Sequence, residues 1–345
     1  MKNNFKFKAI QRIAGIITLM VIVGFSFIAC DESGNGGGTT WTAITDNTFN
    51  NRVITSITYG DGTFIAAAAY DGIIAYSSDG ITWTRITDEI FNTNRRIEDI
   101  IFADDKFIAV GSSSQHTNAN GLVVYSLDNG KTWEEASAAS NFFFTQCITY
   151  GNGMFVAGGG TGANGGRIAY SSNGIDWTIV SGNRPIGISS ITWGDNKFVA
   201  TGGTIMIYSS NGTDWTQVTN NTFEDDTPFV NNDIQSITYG NGKFVAVGRN
   251  GNIAYSSDGI NWNAVTNSRF GNSHIYGVTY GNNMFVAVGS NGKAAYSADG
   301  ISWTAIGNTR FGSSDTDNIN DITWGNGKFV AVGSDGKIVY WSPDN

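Results

Sequence analysis

Beyond residue 40 the apolar positions fall in short runs of about five residues, parted by Gly, Asn and Asp. Ser-Ile-Thr-Tyr-Gly at 236–240 and Phe-Val-Ala-Val-Gly at 244–248 are examples. Short runs rich in β-branched and aromatic residues, bounded by turn formers, read as strands. No long segment after residue 30 keeps a helical period. The strands recur. Ile57-Thr58-Tyr59-Gly60 returns at Ile100, Ile148, Ile191, Ile237, Val278 and Ile322, in steps of 41 to 48 residues. Seven copies at that period predict a repeat architecture in which each copy is one sheet.

Each copy has four parts. A first strand such as 236–240 leads through a turn at 241–243 into a second strand, 244–248. A third strand, 252–257, follows a variable loop, and a tight turn then leads to a tryptophan and a fourth strand, 262–266. The first turn uses Gly151-Asn152-Gly153, Gly240-Asn241-Gly242 and Gly325-Asn326-Gly327. Asn-Gly and Asp-Gly supply the positive φ that two-residue hairpins require.

The turn between third and fourth strands is the most regular feature. It reads Ser77-Ser78-Asp79-Gly80-Ile81-Thr82-Trp83 and recurs around Asn173 and Trp177, Asn211 and Trp215, Asp258 and Trp262, and Asp299 and Trp303. A copy one residue longer runs from Ser126 through Asp128 to Trp133 and fits Ser-x-Asp-x-Gly-x-Thr-Trp. A short Asp or Asn side chain accepts hydrogen bonds from its own turn. These copies resemble the Asp-box, or BNR repeat, of sialidase-like β-propellers, although five of them lack the residue between Asp or Asn and Gly. The resemblance implies an all-β, seven-bladed propeller over 41–345, with the boxes on the face away from any site. A side chain that recurs in every unit is a turn former, not a catalyst.

The chain ends belong together. Trp41-Thr42-Ala43-Ile44 resembles Trp303-Thr304-Ala305-Ile306, and the chain stops at Ser342-Pro343-Asp344-Asn345, the first half of another box. Residues 41–45 are therefore expected to supply the outer strand of the last blade, which removes a free sheet edge.

The N-terminus has a different grammar. Lys2, Lys6, Lys8 and Arg12 precede an uncharged, mostly apolar run, 13–29, that ends at Ala29-Cys30. That order describes a secretory signal at 1–29. Phe27-Ile28-Ala29-Cys30 is similar to a bacterial lipobox, with Phe27 in place of the usual Leu. The resemblance implies lipidation of Cys30, a flexible tether over 30–40 and a cell-envelope location outside the cytoplasm. The alternative is an uncleaved anchor, for which 13–29 lies at the short end of the spanning range. Cys147, the other cysteine, stands where other copies have Ser56, Ser190 or Ser236, and reads as a small buried residue.

Composition narrows the partners. The net charge is −9, and the basic N-terminal segment leaves the rest more acidic still. Such a surface repels phosphate backbones, so nucleic acid is excluded and membrane contact is limited to the lipid anchor. Charged residues are 14% and aromatics 13%, the reverse of a disordered chain.

In propellers of this kind the second-to-third and fourth-to-first loops share one face, and here those loops vary most. Their non-repeated polar residues are the candidate binding face: Arg95, Arg96, His116, Arg184, Glu224, Asp225, Asp226, Arg249, Arg269, His274 and Arg310. A phenylalanine about eight residues after the tryptophan (Phe49, Phe91, Phe142, Phe223, Phe270, Phe311) reads as blade packing. Two distant histidines without acids or cysteines at ligand spacing make no metal site, and Asp315-Thr316-Asp317 fails as a calcium loop because Ile319 and Asn320 follow. No cofactor motif is present.

Sialidases also carry a Phe-Arg-Ile-Pro motif. The nearest string, Arg52-Val53-Ile54, lacks both Phe and Pro. Glycosidases need two carboxylates at a set separation, and the sequence does not pair Glu89, Glu98 or Glu224. The favoured reading is a non-enzymatic module that binds a protein or a glycan. A glycoside hydrolase or lyase, and an envelope assembly factor, are the alternatives.

Overall fold

The computed structural model describes residues 40–91, 95–113, 121–137, 144–160, 166–181, 187–219, 222–223 and 233–343. Seven four-stranded antiparallel sheets are found among them. Their inner strands are Ile54–Gly60, Arg96–Ala103, Thr145–Gly151, Ser190–Gly194, Ile234–Gly240, Ile275–Gly281 and Ile319–Gly325, which define blades 1 to 7. Each inner strand neighbours the next, and the last neighbours the first. The protein is an all-β, seven-bladed propeller. Among the described residues no helix is long and apolar enough to cross a membrane.

The core lies between blade faces. Val330 and Val332 of blade 7 pack with Phe64, Ala66 and Ala75 of blade 1, and Val245 and Val247 of blade 5 pack with Phe285 and Ala287 of blade 6. The aromatic residue near the end of each inner strand lies on the phenylalanine that opens the second strand. The seven pairs, from Tyr59–Phe64 to Trp324–Phe329, have centroids 4.5 to 4.8 Å apart.

The same aromatic also seats on a glycine of the preceding blade. A Cβ added at Gly194 would lie 2.1 Å from the Tyr239 ring, and one at Gly281 2.2 Å from Trp324. Gly325 meets Tyr59 in the same way, which carries the contact across the closure. Ala103 holds the corresponding place in blade 2.

Turns between third and fourth strands are built by side chains. In blade 1, Asp79 Oδ1 accepts the Ile81 and Thr82 N–H groups at 2.8 and 2.7 Å, while Ser77 Oγ accepts the Gly80 N–H at 2.8 Å. Asn173 and Asn211 accept the equivalent N–H groups in blades 3 and 4. The indole N–H of Trp133, Trp177, Trp215, Trp262 and Trp303 donates to the turn glycine's carbonyl at 2.9 to 3.3 Å. That of Trp83 is buried with no hydrogen-bond partner among the described residues. Of the repeated phenylalanines, Phe49, Phe91, Phe223, Phe270 and Phe311 are buried; Phe49 packs against Trp83 and Phe91 against Trp133.

Blade 7 takes its outer strand from the other end of the chain. Thr42, Ala43 and Ile44 pair antiparallel with Tyr340, Val339 and Ile338. Trp41 is 1% exposed, with its ring 6.0 Å from that of Trp341. Removing a buried Trp side chain costs about 3–5 kcal/mol. Trp41→Ala is expected to lower the unfolding free energy by about that much in urea denaturation; a loss under about 1 kcal/mol would show that closure does not hold the ring.

Candidate functional site

All seven inner strands start on the face that carries the second-to-third and fourth-to-first loops, so their first residues surround one mouth of the central channel. The pairing with the second strand shifts near the start of six of them, between Ile54 and Ser56, Ile97 and Asp99, Thr145 and Cys147, Ile234 and Ser236, Ile275 and Gly277, and Ile319 and Asp321. An inserted residue at such a bulge re-aims its side chain. The inserted residues are Thr55, Glu98, Gln146, Gln235, Tyr276 and Asn320; no two neighbouring blades carry the same one, and Gln recurs only in blades 3 and 5. Three positions before the last residue of each shifted pair stand Val53, Arg96, Phe144, Asp233, His274 and Asn318. The repeat breaks at these places while the flanking positions stay isoleucine except at Thr145 and Val278.

One step deeper, side chains join blade to blade. Asp321 Oδ2 accepts the Ile57 N–H at 2.8 Å, Ser56 Oγ the Ile100 N–H at 3.2 Å, Asp99 Oδ2 the Ile148 N–H at 2.9 Å and Ser190 Oγ the Ile237 N–H at 3.2 Å. At the bulges Thr55 and Asn320 donate to the carbonyls of Ile97 and Ile54, and Ser189, just before the inner strand of blade 4, donates to that of Ile234. These bonds satisfy main-chain groups that an inner strand would otherwise leave unpaired.

Asp99 and Asp321 also accept the N–H of the residue after each, at 2.8 Å. Ser56 stands between them, its hydroxyl 3.5 Å from Asp99 Oδ1. Each acid keeps some surface toward the channel and is enclosed by protein elsewhere. Burial pushes both carboxyls up to about 7, against the main-chain N–H groups that favour the charge, and the Asp321 charge adds to the rise at Asp99. Burial also pushes the Cys147 thiol up; its Sγ faces the Gly158 carbonyl at 3.6 Å.

Nearer the mouth, Arg96 lies between two rings, with its guanidinium carbon 5.4 Å from the Tyr70 centroid and 5.5 Å from that of Phe144. Glu98 pairs with it, Nη2 to Oε2 at 3.3 Å, and a closer contact joins Nε to Oε1. Burial pushes the Glu98 carboxyl up to about 7 in spite of the Arg96 charge. The four residues bring a cation, an acid, an exposed tyrosine and a phenylalanine together from blades 1 to 3.

The other predicted residues are spread around this face. Arg95 pairs with Glu135 at 3.1 Å, and its Nη1 is buried without a hydrogen-bond partner among the described residues. Arg249 pairs with Asp233 at 3.2 Å. His274 Nδ1 accepts the Asn250 N–H at 3.1 Å. Arg269 and Arg310 need a correction. They are not unique but hold the same place in successive connections, each before a buried phenylalanine and each with positive φ, 71° and 62°. Arg269 Nε donates to the Trp303 carbonyl at 2.9 Å, which straps blade 5's connection to blade 6. Cys30, Phe142, His116, Arg184, Glu224, Asp225 and Asp226 lie outside the described residues. Among the described residues no three His, Cys, Asp or Glu side chains are grouped to hold a metal ion. Sequence reasoning missed Asp99, Asp321, Tyr70 and Phe144. Aligning Asp99 and Asp321 with Ser56 and Cys147 would have found the first two.

Residues 185–311 match the profile of a family described as the DUF6242 beta propeller domain. No curated protein matches the chain. Solved structures do. YCF48 from Cyanidioschyzon merolae is 18% identical, with a TM-score of 0.66 over 88% of this chain and 99% of its own. YCF48 bound to D1 peptide gives 16% and 0.66 over 87% and 94%. A catalytically inactive virginiamycin B lyase from Staphylococcus aureus with quinupristin gives 16% and 0.69 over 88% and 99%. At these identities the likeness is one of fold.

The raised carboxyls set the sign of a pH effect. Glu98, Asp99 and Asp321 keep their protons in the fold at pH values where the unfolded chain has lost them, so stability falls as pH rises from about 4 to about 7. The turn aspartates act oppositely. At Asp79 burial alone would raise the carboxyl, but the Thr82 and Ile81 N–H groups and the Ser77 and Thr82 hydroxyls bring it down to about 2, so its contribution is lost as pH falls below about 4. Urea midpoints are expected to peak near pH 4 and decline toward pH 7. In Asp99→Asn/Asp321→Asn most of that decline disappears, whatever the variant's absolute stability; an unchanged slope would show that these acids are ionised throughout.

Proposed function

We propose that this protein is a non-enzymatic binding module of the cell envelope, held by a lipid on Cys30, whose loop-face channel mouth takes a protein or glycan partner. The observation that carries this reading is the break in the repeat at the bulges. Seven copies share their packing residues, yet the side chains around one mouth differ from blade to blade, and Arg96, Glu98, Tyr70 and Phe144 gather there. A surface of unlike polar and aromatic groups on a rigid frame suits recognition. The two channel acids are engaged by main-chain N–H groups on both oxygens, which argues against their use as a glycosidase pair. A propeller of the same fold is known with a peptide bound. The Ser-x-Asp or Asn-Gly turns, with their indole caps, support grouping them with the Asp-box. Their place on the opposite face agrees with that grouping.

Screening the protein on glycan and peptide arrays tests the reading. Saturable binding to one class is expected. Arg96→Ala should weaken it at least tenfold, and Lys131→Ala, on a turn of the opposite face, should leave it unchanged. Binding indifferent to Arg96, or equally sensitive to Lys131, would refute the assignment of the face. The lipid is tested separately. Cells fed radiolabelled palmitate are expected to label the wild-type protein and not Cys30→Ala; equal labelling of both would remove the anchor from the proposal.

A further inference from the structure

A pocket of about 510 Å³ opens on the loop face over blade 6. It lies between the connection that enters this blade and the one that leaves it. A volume of that size falls in the range of small-molecule sites. Its walls are fixed by bonds among themselves. Asn291 Nδ2 donates to Asp315 Oδ1 at 2.9 Å, and the Gly292 N–H donates to the Asp317 carbonyl at 2.6 Å. Both bonds tie the second-to-third turn of blade 6 to the connection toward blade 7. Lys293 Nζ donates to the Phe270 carbonyl at 2.9 Å, on the opposite side.

The lining is polar without being charged overall. Lys293 and Asp315 supply one charge of each sign, and each already has a partner. A ligand of either net charge would meet a like charge beside the opposite one, and would give up hydration for little gain. Neutral groups supply the rest of the hydrogen-bonding capacity. With His274 Nδ1 accepting from Asn250, the neutral ring carries its proton on Nε2, a donor. Tyr276, the bulge residue of this blade, adds a hydroxyl that accepts from the Ser290 hydroxyl at 3.5 Å and keeps its own proton to donate. Asn318 also lines the pocket, and its Oδ1 is buried with no hydrogen-bond partner among the described residues. A buried acceptor left unpaired is unfavourable until a donor reaches it. The His274 and Tyr276 rings meet edge to face, centroids 6.2 Å apart, and add apolar surface beside these groups.

A ligand that matches must carry several groups that each donate and accept, no net charge, and C–H surface for the rings. We infer that this pocket binds a neutral sugar residue, with one hydroxyl donating to Asn318 Oδ1 and others meeting His274 Nε2–H and the Tyr276 hydroxyl. This rests on the loop face being a binding face, and it narrows the partner to a glycan engaged at blades 6 and 7.

The test titrates glucose, galactose, mannose, N-acetylglucosamine and their disaccharides into the full-length protein in detergent, read by saturation-transfer NMR and calorimetry. At least one sugar should saturate, and Asn318→Ala and Tyr276→Phe should each raise its Kd at least fivefold. Neither substitution removes a main-chain bond, and thermal melts of both variants are recorded to confirm folding. Failure of every sugar to bind, or binding unchanged in both variants, would overturn the inference. The two readings part company in the array experiment. A partner lost in Arg96→Ala but retained in Asn318→Ala and Tyr276→Phe leaves the binding face standing and removes the sugar pocket. A partner indifferent to all three substitutions removes both.

Discussion

The structure depends on an aromatic ring seated where a glycine has no side chain. At the end of each inner strand the ring lies on its own blade's phenylalanine and reaches across to the blade before it. At Gly60, Gly151, Gly194, Gly240, Gly281 and Gly325 a single added carbon would fall within 2.2 Å of a ring atom. The contact sets how closely two sheets approach at the axis, where seven of them converge. Because interiors are packed to near-crystalline density, an error at one interface would have to be absorbed by the other six. That explains why this pair recurs so regularly while the loops do not. The turn tryptophans fix the outer part of each blade by a second, independent means.

The two faces are therefore under different constraints. On the turn face, short hairpins and self-bonded Asp or Asn side chains use the same chemistry blade after blade. On the loop face the bulges release one side chain from the packing rule in six of the inner strands, and neighbouring blades place different residues there. Beneath it, Asp99, Ser56 and Asp321 occupy an intermediate layer and accept an N–H from the neighbouring blade, while Gly277 in the same place has no side chain to do so. Burying carboxylates there is tolerable because each accepts two main-chain donors, although burial still lifts their affinity for protons.

Much of this was legible before any coordinates. Strands, blade count and turn positions follow from a strong local signal, since Asn-Gly and Asp-Gly between apolar runs allow few other conformations. The closing strand was legible because Trp41–Ile44 copies the start of another blade's outer strand. Arg96 and His274 were found because they differ from their counterparts. The company they keep was not. Tyr70 and Phe144 reach Arg96 from blades 1 and 3, and no local spacing records a contact between blades. The bulges were hidden for a related reason. A one-residue shift in pairing moves every later side chain to the other face, and register is a property of two strands together. Arg269 and Arg310 erred the other way: a shared Arg-Phe-Gly string marked them as repeat residues, although each looked distinctive inside its own loop.

The strand that completes blade 7 comes from the start of the chain, whereas the three it joins come from its end. While the chain is being made, six sheets can form in succession, each against its predecessor, but the arc they build keeps an unpaired edge and an uncovered blade face. The residues that seal it precede all seven inner strands in the chain and must wait for the seventh blade. Folding is then two events on different clocks. Blades accrete through contacts close in sequence, and closure follows through contacts of nearly maximal sequence separation, which are the slow kind. Until that step, the earliest strand is the part of the molecule most open to pairing with another chain.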